Sequence, residues 1–473
     1  MNQRVAASAV TEPNLASSVD EIRPDRDKPP RTVSEYLDKL PLNSRHALIF
    51  VVSALGFFFD ALDLQILALA VPSISKEWGL APNAIGWLFS LTAFGMLAGS
   101  YTFGTLADYI GRRLCFQITI AIFAVSSGLC YFAENAWQLG VLRVLVGFGI
   151  GGFIPVDTAI MSEFIPARRR GLVFGLWNLF FSVGYIASAK IASYIVPTYG
   201  WRALFIVGVA PAFLVLLVRA LVPESPRFLM MRGRLDEARR SVAWISGKPL
   251  SQDIDALFAK PAKVEAGRRI TVAELFSPAY RSRTAFTWCL WFSLMFCYLG
   301  LLPWLPTLLG RFREIPMSEV FNIMIAFSVS GIAGRLTVAF LVDRLGRRTM
   351  MLPLATCALI AALAFGWQTE VNAIWWWACA LGFFLDGVLG TTATMTPELY
   401  PTRIRATGIG WAQSMGRIGA ILAPLAIGAL VPLGVQWVFV MFAVALGFVI
   451  LATSLFRVET RQLSLEKASG ETA

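Results

Sequence analysis

The chain has 473 residues, of which 56% are hydrophobic and only 15% charged, whereas a soluble chain of this size needs roughly a quarter charged to coat its surface. With a mean hydropathy of +0.64, a soluble enzyme is excluded, as are disorder, collagen and coiled coil. The formal net charge of +11 does not describe a nucleic-acid surface, because the basic residues are spread over many short loops between apolar runs.

A bilayer crossing needs about 20 mostly apolar residues. Twelve segments meet that measure: 47–73, 84–106, 114–133, 137–161, 172–196, 203–222, 285–309, 320–342, 350–368, 373–396, 406–431 and 435–456. They divide the chain into a polar tail (1–45), a six-helix half (46–222), a central loop (223–284), a second six-helix half (285–456) and a tail (457–473). The first tail has no apolar leader, so no cleavable signal peptide is expected. With the N-terminus inside, 32 of the 41 Lys and Arg residues fall on cytoplasmic segments and only Lys76, Arg202, Arg311 and Arg313 on outward ones. That bias places both termini in the cytoplasm. The absence of any Asn-x-Ser/Thr sequon favours a bacterial inner membrane.

The two halves repeat each other. GTLADYIGRR (104–113) returns as AFLVDRLGRR (339–348), and SEFIPARRRG (162–171) returns as PELYPTRIRA (397–406), both 235 residues later. Two motifs sharing one offset imply a duplicated six-helix unit of the parallel-repeat type. Six cysteines inside apolar runs and a single histidine, His46, offer neither a disulfide framework nor a metal site. No cofactor is implied.

Over residues 40–458 the sequence resembles the major facilitator superfamily. GTLADYIGRR matches its signature loop, and RVLVGFGIGG (143–152) with PESPR (223–227) resembles its sugar-porter and metabolite:proton-symporter branches. FDALD (59–63), GWR (200–202) and GRIGAILAP (416–424) look closest to niacin-type and aromatic-acid:proton symporters. Ala339 departs from the glycine usual at its position. The resemblance implies an all-α fold of twelve transmembrane helices, working as a monomer by alternating access. It also implies a cytoplasmic gate of salt bridges: Asp108, Arg112, Arg113, Glu163, Arg168 and Arg170 in the first half, extended by Glu224 and Arg227, with Asp343, Arg347, Arg348, Glu398, Arg403 and Arg405 in the second.

A charge in the bilayer core is costly and marks a functional position by default. Nine lie within the spans. Arg219 is near enough to a span end to snorkel, Lys190 sits near the outer end, and Arg335 reads as support for the gate. Asp60 and Asp63 lie three residues apart on one helical face. Two carboxylates so close in a low dielectric cannot both stay ionised, so one can take up and release a proton. Arg417 offers a planar fork suited to a carboxylate, either on an anionic substrate or on Asp386 as a permanent partner. Arg143 and Asp157 bracket a glycine-rich stretch in which Gly147 and Gly151 suit helix packing. Trp87, Trp137, Trp201, Trp304 and Trp367 read as interfacial anchors, and Trp177, Trp291 and Tyr298 lie deeper. The reading is a secondary transporter of a small organic acid, coupled to protons, in the lipid bilayer and without nucleic-acid partners. The alternatives are a carrier of a neutral or sugar-like solute, proton antiport, and a membrane sensor that moves nothing.

Overall fold

The computed structural model describes residues 32–248, 258, 272–401 and 404–456, and these are helical with no strand among them. Eleven helices are long and apolar enough to cross a membrane. A short α1 (Val33–Lys39) precedes α2 (Ser44–Glu77), α3 (Pro82–Ile110), α4 (Arg112–Leu129), α5 (Ala136–Phe164) and α6 (Ala167–Tyr199). The sixth expected span crosses in two pieces, α7 (Arg202–Val207) and α8 (Ala212–Leu221). Pro211 has no N–H to continue a helix, and the backbone between them falls back on short-range bonds such as Ala210 N to Val207 O at 3.1 Å. The central segment carries α9 (Pro226–Met231) and α10 (Leu235–Ser246). The second half is α11 (Arg281–Gly310), α12 (Met317–Leu345), α13 (Arg347–Trp367), α14 (Val371–Glu398), α15 (Arg405–Leu430) and α16 (Val435–Leu455).

The duplication extends through the helices. Pro82 and Met317 open α3 and α12, Arg112 and Arg347 open α4 and α13, and Ala136 and Val371 open α5 and α14, each pair separated by the 235 residues of the loop motifs. The packing repeats as well. A Cβ on Gly99 would lie 1.9 Å from the Phe148 carbonyl oxygen, and one on its counterpart Gly334 would lie 2.0 Å from that of Phe383. Glycine at these positions lets α3 touch α5, and α12 touch α14, backbone to backbone. Gly147 and Gly151 pack against α3 in the same way, as the small-residue spacing anticipates.

The halves meet through α3 with α15, α6 with α12 and α2 with α11. At the end of α3 near Pro82 this contact is tight. A Cβ on Gly86 would lie 2.5 Å from the Pro424 carbonyl oxygen, Ser90 Oγ donates to the Ile421 carbonyl at 2.7 Å, and Arg311 Nη1 donates to the Leu80 carbonyl at 2.9 Å. At the other end of the same helix pair, nothing among the described residues lies within 4 Å of a Cβ on Gly104 or Gly410. The cleft between the halves is therefore closed at one end and open at the end that carries the duplicated loop motifs.

Trp87, Trp137 and Trp367 are exposed, in keeping with an interfacial position, but Trp201 and Trp304 are not. Trp201 Nε1 donates to Glu77 at 2.7 Å, tying the end of α2 to α7, and Trp304 packs near Phe89 at the interface between halves. Sequence position at a span end did not distinguish these from lipid-facing residues.

Gly86→Val should drive its side chain into the Pro424 carbonyl and wedge the closed end apart. In a cysteine-free background, thiol labelling of Phe89→Cys is then expected to rise several-fold and that of Gly410→Cys, at the open end of the α3–α15 pair, to fall. Unchanged labelling at both would show that this packing does not hold the closed end.

Candidate functional site

Asp63 sits at the centre of a fully buried cluster in the first half. Its Oδ2 accepts from Arg143 Nη1 of α5 at 3.0 Å, both side chains having no exposure, and Arg143 Nη2 reaches the Asp63 carbonyl at 3.5 Å. Ser127 of α4 donates its hydroxyl to Asp63 Oδ1. The broken sixth span makes room for this contact, because a Cβ on Gly208 would lie 2.8 Å from that same oxygen. Asp60, one turn away, is equally buried, yet neither of its oxygens accepts a hydrogen bond from a described residue. One guanidinium thus stands beside two carboxylates. Burying an unpaired charge is prohibitive, so the cluster is electrically balanced when Asp60 carries a proton.

Asp157 of α5 lies nearer the open end. Its Oδ2 accepts from Trp177 Nε1 of α6 at 3.0 Å, and the indole stacks on Phe57 with ring centres 3.7 Å apart.

In the second half, Asp386 of α14 pairs with Arg335 of α12 at 2.5 Å, and Arg335 Nη2 donates to the Tyr298 hydroxyl at 3.2 Å. This differs from the expectation that Arg335 supports the gate, and of the two alternatives for Arg417 it removes the permanent pair with Asp386. The reason is register. Helices α12 and α14 run side by side, and Arg347 at the start of α13, just past the end of α12, pairs with Glu398 at the end of α14 at 2.7 Å with the same 51-residue separation as Arg335–Asp386. That spacing, repeated in Arg112–Glu163 at 3.3 Å, is the sequence signal that would have found the pair. Arg417 instead crosses to the other half, where its Nη1 donates to Ser100 Oγ of α3. Among the described residues no carboxylate lies within 4.0 Å of it. Sequence reasoning missed Ser100 and Ser127, which carry no charge to mark them.

At the open end the loop charges pair within each half. Arg112 contacts Asp108 at 2.8 Å as well as Glu163, while Glu224 caps the start of α4 by accepting from the Arg112 and Arg113 backbone N–H groups at 3.0 and 3.2 Å. Arg170 reaches Asp38 at 3.4 Å, Arg348 donates to the Thr453 carbonyl, and Arg405 donates to the Pro397 and Tyr400 carbonyls. Arg227 lies in the first turn of α9. The side chains of Arg168, Arg219 and Asp343, and all of Arg403, lie outside the described residues. No ion pair joins the halves among the described residues at this end, as befits an open mouth.

A cavity of about 40 Å³ lies between the halves, lined by Arg143, Thr92 and Tyr185 among apolar residues including Leu64, Phe89 and Leu299. It has room for a few waters rather than an organic solute.

Because Asp63 and Arg143 satisfy each other, removing one should be worse than removing both. Asp63→Leu is expected to destabilise the protein by about 3–5 kcal/mol, the cost of leaving a buried charge uncompensated. Asp63→Leu with Arg143→Met should recover most of that, read as thermal unfolding in detergent. A double variant as unstable as the single would mean that packing, not charge, sets the loss.

A family model described as sugar (and other) transporter matches residues 67–471. The chain is 34% identical to the niacin transporter NiaP of Acinetobacter baylyi, covering 91% of this chain and 98% of that one. It is 30% identical to a gallate transporter of Pseudomonas putida, covering 86% and 90%. Its fold matches that of the xylose transporter XylE from E. coli in a partially occluded inward open conformation, with a TM-score of 0.72 at 18% identity over 88% of this chain and 99% of that one. Eleven spanning helices and one broken apolar segment among the described residues, two repeated halves, a charged core and these likenesses converge: the chain belongs to the sugar (and other) transporter family of the major facilitator superfamily, and is a multi-pass membrane transporter rather than an enzyme.

Proposed function

We propose that the carrier takes up a small aromatic or heteroaromatic carboxylate together with a proton, by rocking its two halves about the central site. The observation that carries this reading is Arg417, a guanidinium deep in the membrane core, held only by a serine of the opposite half and without a carboxylate partner among the described residues. An anionic substrate supplies the missing charge with the bidentate geometry that guanidinium favours. The relatives named for niacin and gallate fit an acid of this class. A neutral, sugar-like solute, which the family's name invites, would leave Arg417 unmatched.

Charge balance supports proton coupling. The described core holds four buried carboxylates, Asp60, Asp63, Asp157 and Asp386, against three guanidiniums, Arg143, Arg335 and Arg417. One proton neutralises the empty carrier, and each monocarboxylate bound requires one more. A site in the bilayer core moves between faces at least cost when neutral, so anion and proton travel together. With both termini in the cytoplasm of a bacterial inner membrane, the open mouth is the inward-facing one. Pairs such as Arg112–Glu163 and Arg347–Glu398 then hold each half rigid, and the gate closes as the mouth closes.

The test is uptake by proteoliposomes of labelled nicotinate, benzoate, gallate and short-chain carboxylates, with and without an inward proton gradient. Accumulation of an aromatic acid that depends on the gradient is expected, with loss of accumulation in Asp60→Asn and in Asp63→Asn. Arg417→Lys keeps the charge but loses the fork, and affinity should fall by about 1–3 kcal/mol, the scale of a charge-assisted hydrogen bond. Native affinity in Arg417→Lys would remove the anion contact, and binding without movement would mark a sensor.

A further inference from the structure

Asp157 has no settled task in the scheme above. It is fully buried and hydrogen-bonded by Trp177 and the Ser53 side chain, but no cation lies within 4.0 Å among the described residues. A purely structural buried carboxylate is ordinarily paired with a cation. Its place in the fold explains the arrangement better. Trp177 Nε1, which donates to Asp157 Oδ2, also lies 3.3 Å from the Ser53 carbonyl, and its ring stacks on Phe57, so the carboxylate sits level with the Ser53–Phe57 turn of α2. Asp60 lies three residues beyond Phe57 on that helix, about 5 Å along the axis, and Asp63 a further turn. Asp63, Asp60 and Asp157 therefore descend in that order toward the open mouth. The ionisable neighbours of this route among the described residues are Asp60 and Asp63 on α2, Tyr185 on α6 and Cys130 after α4, with the Arg143 guanidinium bound at its far end and no basic side chain within 4.0 Å of Asp157. Ser53 also borders a cavity of about 10 Å³, near the lower limit for one water, whose other walls include Ile160 of α5 and Val222 at the end of α8.

We propose that Asp157 is the carboxylate that receives the translocated proton from Asp60 and releases it at the inward mouth. The proposal rests on the symport reading above. Asp157 first gives its proton to water in the mouth, and the Trp177 N–H stabilises the transient anion at Oδ2. The O–H bond on Asp60 then breaks and one forms on Asp157 Oδ1, leaving Asp60 as the carboxylate and one proton in the empty carrier. No other reactant is consumed.

The test compares two rates in proteoliposomes of the full chain, for labelled nicotinate, benzoate and gallate: equilibrium exchange, which needs no net proton release, and net uptake driven by a proton gradient. In Asp157→Asn, which keeps an acceptor for Trp177, net uptake is expected to fall at least ten-fold more than exchange, and Asp157→Glu should restore the ratio to within a few-fold of native. Equal effects of Asp157→Asn on both rates, or native net uptake, would overturn the proposal. The symport reading is judged separately, by whether the native carrier responds to the gradient and Asp60→Asn does not. A native response lost in Asp60→Asn but retained in Asp157→Asn sinks the relay alone.

Discussion

A charge placed in the bilayer core must be matched at once by another charge, a proton or a ligand, and the architecture of this carrier follows from that requirement. Arg143 is matched by Asp63, Arg335 by Asp386, and Arg112 and Arg347 by Glu163 and Glu398. Each pair is internal to one half. The halves can therefore move as bodies without exposing any of these charges. Without an ion-pair partner among the described residues remain Asp60 and Asp157 in one half and Arg417 in the other, the groups on which the proposed proton and anion sites rest.

The two halves share a backbone plan but divide the chemistry. Glycine contacts and loop ion pairs repeat at one offset, because helix packing constrains them equally in both copies. The buried charges do not repeat. Tyr298 occupies the position equivalent to Asp63, and Arg335 the position equivalent to Ser100. Among the described core charges, the first half holds three acids and one guanidinium and the second two guanidiniums and one acid.

Much of this was legible in the sequence. Span length, loop charge and the duplicated motifs gave the helices and their symmetry, since hydropathy and topology are local properties of the chain. The Asp60–Asp63 pair was visible because its members are neighbours on one helix. The partners of Arg335, Asp386 and Arg417 were not visible, because they are set by register between helices distant in sequence. The break between α7 and α8 was hidden because hydropathy reads composition and is blind to the missing N–H of Pro211. Ser100 and Ser127 escaped notice because a hydroxyl in an apolar helix ordinarily satisfies itself on the preceding turn.

The bond from Arg417 to Ser100 has a consequence for timing. Ser100 belongs to α3 and Arg417 to α15, two helices that meet across the halves. A neutral hydroxyl is a weak claimant on a guanidinium, so under the proposed uptake of an organic acid a carboxylate would displace it at little cost and gain a stronger bond. That exchange would cut one tie between the halves at the moment of loading and so couple occupancy to freedom of the two halves.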